Sequence, residues 1–480
     1  MSRAIHPDSK TDPLYQKVAD QIACLIQEGV LRPGERVSSL RKVSEQYGVS
    51  LTTAIQAFIL LEDRGLVEAR PKSGFFVKVQ APVLKEPTMA QRPRSISVVT
   101  VGALQSRLFE AAMLPHVLAL GGAVPSPELL PTVKLNRILA SVARSAGKSG
   151  ISYDMPPGSE SLRREIAKRA MNAGATILPQ EIITTCGGTE ALMLCLRAVT
   201  TRGDVVAVES PSYFGLLHAL EELGLKAIEI PTHPRHGMDL EALAEVLKTR
   251  AIAACVAVPT FSNPLGSLMP DENKERLVQM LAERDIPLIE DDVFGELHYG
   301  LHRPRLAKGY DQKGGVLLCS SFSKSLAPGY RVGWVAPGRF YERVKTLKLT
   351  STLATATLPE LAIAEFLANG GYDHYLRSVR TIYAANVQRI GQAIATYFPE
   401  GTRVTQPQGG FVLWVEMPEA VNALRLQDEA LAHEINIAPG PMFSPTQGYP
   451  NCIRLSCAIP WTPRLQKAIQ TLGKLAQQQL

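Results

Sequence analysis

Ser321-Phe322-Ser323-Lys324-Ser325-Leu326-Ala327-Pro328-Gly329-Tyr330-Arg331-Val332-Gly333-Trp334 follows directly on the apolar run Val316-Leu317-Leu318-Cys319. A strand that ends in small hydroxyl residues, one lysine, a Pro-Gly turn and one arginine sets its polar groups in a loop at the strand's end. A lysine there is poorly placed for a core. Two readings stand side by side: a solvated loop lysine, or an amine that forms an imine with pyridoxal phosphate while Arg331 holds the phosphate. The rest of the chain has to decide between them.

Outward from this stretch, helical segments alternate with short apolar runs at Val205–Val208, Ala227–Ile230, Ala253–Val258, Pro287–Ile289 and Val316–Cys319. That alternation predicts an α/β domain, a mostly parallel sheet covered by helices, with ligands beyond the carboxyl ends of the strands. The polar residues after those runs are therefore the candidates. Gly187-Gly188-Thr189 opens a helix expected from about Glu190 to Val199, where free N–H groups and the helix dipole favour an anion, although many Gly-Gly pairs are plain turns. Tyr213, in Glu209-Ser210-Pro211-Ser212-Tyr213, is either a packing residue or a ring that stacks on a flat cofactor. Asn263 stands between a strand end and a Pro turn, where its amide can reach a ring oxygen. Asp291, at the end of a buried strand, needs a partner and suits a protonated pyridine nitrogen. Ser321 and Ser323 add hydroxyls, and Arg331 adds a planar fork for a phosphate.

In this order the motifs resemble the pyridoxal-phosphate fold of the aspartate aminotransferase type, from about residue 116 to the end, with a smaller C-terminal α+β subdomain. The resemblance implies that Lys324 forms the internal aldimine, Asp291 pairs with the pyridine nitrogen, Asn263 bonds the ring hydroxyl and Tyr213 stacks on the ring. It implies Gly187, Gly188, Thr189, Ser321, Ser323 and Arg331 around the phosphate. Tyr153, in Tyr-Asp-Met-Pro-Pro-Gly, matches a tyrosine that reaches the phosphate of the neighbouring subunit, and Arg454 matches the arginine that grips a substrate carboxylate. One departure stands out. Where the family has a tyrosine shortly after the aspartate, this chain has Val293 and Phe294.

The first eighty residues read differently. Leu14, Val18, Ile22, Leu25 and Ile26 recur at helical spacing between Pro13 and Glu28. Ser38 and Ser39 can cap a helix from about Leu40 to Tyr47, Gly48 ends it, and Ser50 can cap another from Leu51 to about Arg64. Val67-Glu68-Ala69 and Phe75 to Val79 predict two short strands around Pro71-Lys72-Ser73-Gly74. A small helical bundle with a hairpin would fit this spacing. Residue identity adds that Leu31 to Arg41, Tyr47-Gly48-Val49-Ser50 and Leu60 to Val67 resemble the winged helix-turn-helix domain of GntR-type bacterial regulators. That resemblance places Thr52, Thr53 and Gln56 near base edges of double-stranded DNA, and Arg41, Ser50, Lys72 and Ser73 at phosphates or the minor groove. Ser38 stands where the family has a proline, and Leu51 where it has an arginine. With 11 Lys and Arg against 9 Asp and Glu through residue 80, a net of +2, phosphate neutralisation by one copy is modest. A homodimer on paired half-sites is expected to compensate.

The predicted organisation is a winged helix over residues 12–79, a Pro-containing linker over 80–115 and the aminotransferase-like domain over 116–480. Of 480 residues 45% are hydrophobic and the net charge is +6, which suits a globular protein and by itself does not indicate nucleic acid. The polar start and the lack of a long apolar run predict a cytoplasmic protein with no membrane partner. Seven cysteines with no Cys-x-x-Cys pair predict reduced thiols and no metal site, with Cys186 a small buried residue. The whole chain resembles the MocR-type regulators, which implies a head-to-tail homodimer that senses an amino compound or pyridoxal phosphate. The alternative is a working pyridoxal-phosphate-dependent aminotransferase whose N-terminal domain is vestigial or serves docking.

Overall fold

The computed structural model describes residues 13–28, 30–31, 34–70, 73–77, 84–89 and 95–480. The chain divides into two compact units, residues 1–83 and 84–480. Among the described residues no helix is long and apolar enough to cross a membrane.

In the smaller unit, helices α1 (Leu14–Gln27), α2 (Leu40–Tyr47) and α3 (Leu51–Asp63) precede strands β1 (Val67–Arg70) and β2 (Gly74–Val77). Local chemistry sets the boundaries. The Ser39 hydroxyl accepts from the Lys42 N–H at 3.3 Å, and the Ser50 hydroxyl accepts from the Thr53 N–H at 3.1 Å, so each helix start is capped. Between them Gly48 adopts a left-handed φ of 62°, which glycine alone enters without cost and which turns α2 sharply into α3. Val18, Ile22, Val43, Ala54, Phe58 and Leu61 share one core with Val67 and Val77 of the antiparallel β1–β2 pair. This is a helix-turn-helix with a wing.

The larger unit is built on a nine-stranded sheet. Across it run β3 (Ile96–Val98), Lys226–His233, Val205–Ser210, Ala254–Ala257, Leu288–Asp291, Val316–Ser321, Gly333–Ala336 and Ile183–Thr185, with Gly237–Met238 pairing Lys226–His233. The strands from Lys226–His233 to Val316–Ser321 are parallel neighbour to neighbour; β3, Gly333–Ala336 and Ile183–Thr185 pair antiparallel. Alternation along the parallel strands sorts the core onto both faces. Val206 and Val208 join the helices Gly187–Val199 and Phe214–Glu222, whereas Ala207 joins Leu240–Thr249 and Asp271–Ala282. A second, antiparallel sheet of Arg403–Val404, Val412–Glu416, Cys452–Ser456 and Ala438–Pro439 packs with the long helix Gly371–Tyr397 and the last helix Pro463–Gln477 in a separate core.

The expected linker over 80–115 needs correction. Residues 84–89 and 95–115 belong to the larger unit: β3 adds an edge strand on Lys226–His233, and helix α4 (Gly102–Ala112) follows it. The prolines set the expectation of a linker. A three-residue edge strand is too short for its alternation to register against them. Arg92 and Arg94 of that stretch lie outside the described residues.

Candidate functional site

Strand register brings the candidates to one edge of the large sheet. Asp291 is level with Cys319, two residues before Ser321; Ser321 pairs Gly333, and Gly333 pairs Thr185, two residues before Gly187. Four chain segments thus meet at one end of the sheet, the carboxyl end of its parallel strands, where α/β sheets bind ligands. There a cleft with about 700 Å³ of atom-free space is lined by Gly188, Thr189, Tyr213, Asn263, Asp291, Ser321, Ser323, Lys324 and Arg331, with Leu192, Gly215, Val258, Val293 and Phe294.

Lys324 reaches into this cleft and donates a hydrogen bond to the Ala123 carbonyl at 2.7 Å. Burial, helped by the positive charges of Arg454 and Arg331 and opposed by Asp291, lowers its pKa to about 8. Asp291 is pushed the other way, to about 7, by burial and by the neighbouring Asp292. Its Oδ1 is buried without any hydrogen-bond partner. An orphaned acceptor of this kind costs stability unless a ligand supplies the donor. A protonated pyridine nitrogen is such a donor.

The anion cradle lies beside it. Gly187 begins the helix Gly187–Val199 at φ 78°, and a Cβ there would come within 2.5 Å of Arg331 Nη2. Arg331 itself sits at φ 53° and donates to Ser323 Oγ at 3.2 Å, to the Pro328 carbonyl at 3.3 Å and to the Cys186 carbonyl at 3.4 Å. Helix N–H groups, two serines and a guanidinium therefore face one point, a set suited to a phosphate. Cys186, expected buried, is exposed. It is the residue before the helix; its N–H donates to Glu190 Oε2 at 2.5 Å and its carbonyl accepts from Arg331, which holds it at the surface.

Arg454 is completely buried, and no carboxylate pairs with it among the described residues. Its Nη1 donates to Asn263 Oδ1 at 2.8 Å, its Nη2 bonds the Gly121 carbonyl, and its Nε is left without a partner. The rings of Phe214 and Phe443 stand 5.3 and 5.1 Å from its Cζ. Burial lowers its pKa to about 10, still well above neutrality. A buried cation held by an amide, a carbonyl and two ring faces is suited to pairing with an anion. Because Arg454 takes Asn263 Oδ1, the Asn263 NH2 group remains as a donor, which fits a ring oxygen. Phe294, fully buried against Phe411 with ring centres 5.2 Å apart, brings no hydroxyl to that oxygen. Tyr153, 77% exposed, is not among the lining residues of its own chain's cleft.

Four contributions were not evident from the sequence, that of the Phe214 ring among them. Ala123 and Gly121 act through backbone carbonyls, and Phe443 comes from a distant turn. Gly121 did carry a signal: a Cβ there would meet Leu108, Ile437 and Ala438 at 2.6 to 2.9 Å, so this glycine marks a close backbone approach.

On the smaller unit, Thr52 and Gln56 are exposed on α3 and Arg41 is exposed on α2. The Ser50 hydroxyl is 2.8 Å from that of Thr53 as well as capping α3, so both are committed to the helix start. Ser73 is exposed in the wing; Lys72 lies outside the described residues.

A winged helix-turn-helix and a fold type I aminotransferase-like domain, whose cleft is built for pyridoxal phosphate, define the class of this protein. Residues 125–472 match the family described as aminotransferase class I and II, and residues 14–77 match the bacterial regulatory proteins of the gntR family. The HTH-type transcriptional regulator YdcR of Escherichia coli (strain K12) is 39% identical, over 97% of this chain and 99% of that protein. The 2-aminoadipate transaminase of Thermus thermophilus is 31% identical, over 76% of this chain and 92% of its own length. Among solved structures, LysN of Thermus thermophilus, an alpha-aminoadipate aminotransferase complexed with N-(5'-phosphopyridoxyl)-L-leucine, matches with a TM-score of 0.72 at 30% identity, over 79% of this chain and 96% of that one. The chain belongs to the aminotransferase class I and II family through its larger unit and, taken whole, to the MocR-type HTH transcriptional regulators that join a GntR domain to it.

Proposed function

We propose that this regulator binds operator DNA through its winged helix, carries pyridoxal phosphate on Lys324 and senses an amino compound in the same cleft. The observation that carries the sensing reading is the buried Arg454, a cation with no carboxylate of its own beside a lysine whose pKa is lowered to about 8. Such a pair suits a ligand with both an amine and a carboxylate. When bound, pyridoxal phosphate supplies an electron-withdrawing ring that can hold an amine covalently. Asp291 would take its ring nitrogen, Asn263 its ring oxygen, Tyr213 its face, and Gly187, Gly188, Thr189, Ser321, Ser323 and Arg331 its phosphate. Tyr153 would reach the cleft of a second copy, in a head-to-tail homodimer that presents two winged helices to paired half-sites in the cytoplasm.

Two measurements test this. Borohydride reduction of the loaded protein should fix one pyridoxyl phosphate group on the peptide containing Lys324, and Lys324→Ala should prevent it while keeping the fold. Selection of genomic fragments by the full chain should enrich an upstream region; enrichment of none would defeat the regulator reading.

A second reading, transamination, is favoured by the joint presence of Lys324, Asp291 and Arg454 and opposed by Phe294. Sustained conversion of an amino acid and a keto acid by the purified protein would support it. A single incomplete exchange would not.

A further inference from the structure

The outward face of α3 has a composition that limits which bases it can read. Leu51, Ile55 and Ile59, 46%, 40% and 51% exposed, recur every four residues and form one ridge. Thr52 and Gln56 lie beside them, also exposed, while Ala54, Ala57, Phe58 and Leu61 fill the core behind. The helix sequence Leu-Thr-Thr-Ala-Ile-Gln-Ala-Phe-Ile-Leu-Leu-Glu-Asp contains no lysine or arginine at all. Positive charge stands next to the ridge instead. Arg36 and Arg41 line one depression with Ser39, Leu40, Leu51 and the wing residues Gly74 and Phe75, and neither is in an ion pair among the described residues.

A guanine is read in the major groove chiefly by bidentate arginine or lysine, and α3 offers neither. What it offers is aliphatic surface, which matches the 5-methyl group of thymine, one amide, which matches the N6 and N7 edge of adenine, and the Thr52 hydroxyl, which discriminates among bases little. We propose that Leu51 and Ile55 are specificity-determining residues that read thymine methyl groups, with Gln56 on adenine, so that the base pairs under α3 are A·T. Arg36 and Arg41 hold the flanking phosphates. This rests on the DNA-binding reading above and deepens it.

A second copy of the chain is a poorer occupant for the ridge. Its three side chains expose an area on the order of 300 Å², where a stable protein interface takes about 800 Å² from each partner. A major groove about 12 Å wide admits a single helix and asks for no such area.

The test uses the full-length chain and duplexes it enriches from a random-sequence pool. Enriched half-sites should share A·T pairs, and replacing their thymines by deoxyuridine, which removes only the methyl, should weaken binding about four-fold for each methyl in contact. Ile55→Ala, a change at an exposed position, should bind the thymine duplex more weakly and lose the thymine-over-uracil ratio at one position, and Leu51→Ala should lose it at another. Indifference to uracil, G·C pairs at the selected positions, or a full ratio in both variants would overturn the inference and leave the regulator reading standing. So would an Ile55→Ala protein that changes oligomeric state while keeping the ratio. A chain that enriches no duplex overturns the regulator reading and this inference with it.

Discussion

Lys324 and Asp291 line the same cleft, and their pKa shifts make separate, testable statements. At pH 7 an amine with a pKa of about 8 is neutral in roughly one molecule in ten, whereas an ordinary lysine is neutral in about one in 2,500. The rate at which the cofactor-free protein captures pyridoxal phosphate should therefore climb with pH up to about 8 and then level off. A climb that continues towards pH 10 would mean that Lys324 is an ordinary lysine. Asp291 carries the opposite burden. Its folded pKa is raised to about 7, so its contribution to the stability of the cofactor-free fold is fully present below the unfolded value near 4 and is lost as pH rises towards 7. Asp291→Asn removes that loss. The cofactor-free variant should melt higher than the parent at pH 8, the difference should vanish near pH 4, and the variant should bind pyridoxal phosphate more weakly; a lower melting temperature at pH 8 would contradict this. At this scale the sequence was informative wherever a side chain carries its own chemistry: Lys324, Asp291 and Asn263, each singled out by residue type, line one cleft, and Arg454 bonds Asn263. It did not show that the carbonyls of Ala123 and Gly121 reach Lys324 and Arg454, because these meet only through the tertiary approach of a segment some two hundred or more residues away in sequence.

Helix starts are the element on which both units depend. In the larger unit the left-handed Gly187 keeps a Cβ away from the Arg331 guanidinium. Gly187→Ala should strain the backbone and displace Arg331, lowering affinity for pyridoxal phosphate at least ten-fold while changing affinity for pyridoxal, which lacks the phosphate, much less. Equal losses for both would place the phosphate elsewhere. In the smaller unit the Ser50 cap is expected to contribute about 1 kcal/mol, so Ser50→Ala should lower the midpoint of that unit's unfolding by several degrees. Both starts were legible, because a Gly-Gly-Thr run and a Gly-Val-Ser run have local meanings. β3 was not legible. Ile96–Val98 is a strand because Lys226–His233 offers it an open edge, and three residues contain too little pattern to announce that.

The whole molecule joins two units whose cores share no residue, one core behind α3 and the others on the faces of the large sheet and against the second sheet. Their joint presence was readable because each rests on its own periodicity: helical spacing in the first eighty residues, strand alternating with helix beyond them. A net of only +2 over residues 1–80 predicts a shallow salt dependence for each winged helix and a steeper one for two acting together. Ligand linkage gives a second global expectation. Pyridoxal phosphate at a hundred times its dissociation constant should stabilise the protein by about 2.7 kcal/mol, and Lys324→Ala should lose most of that gain.

The proposed coupling joins a pyridoxal-phosphate cleft to operator binding in one molecule. It is tested most directly by titrating a duplex enriched by the full-length chain with cofactor-free protein, with loaded protein, and with loaded protein plus a series of amino acids, each in parallel with Lys324→Ala. Specific binding should change in affinity several-fold with cofactor or one amino compound in the parent and not in the variant. Affinity that is identical in every state, or binding no tighter than to unrelated duplex, would contradict it.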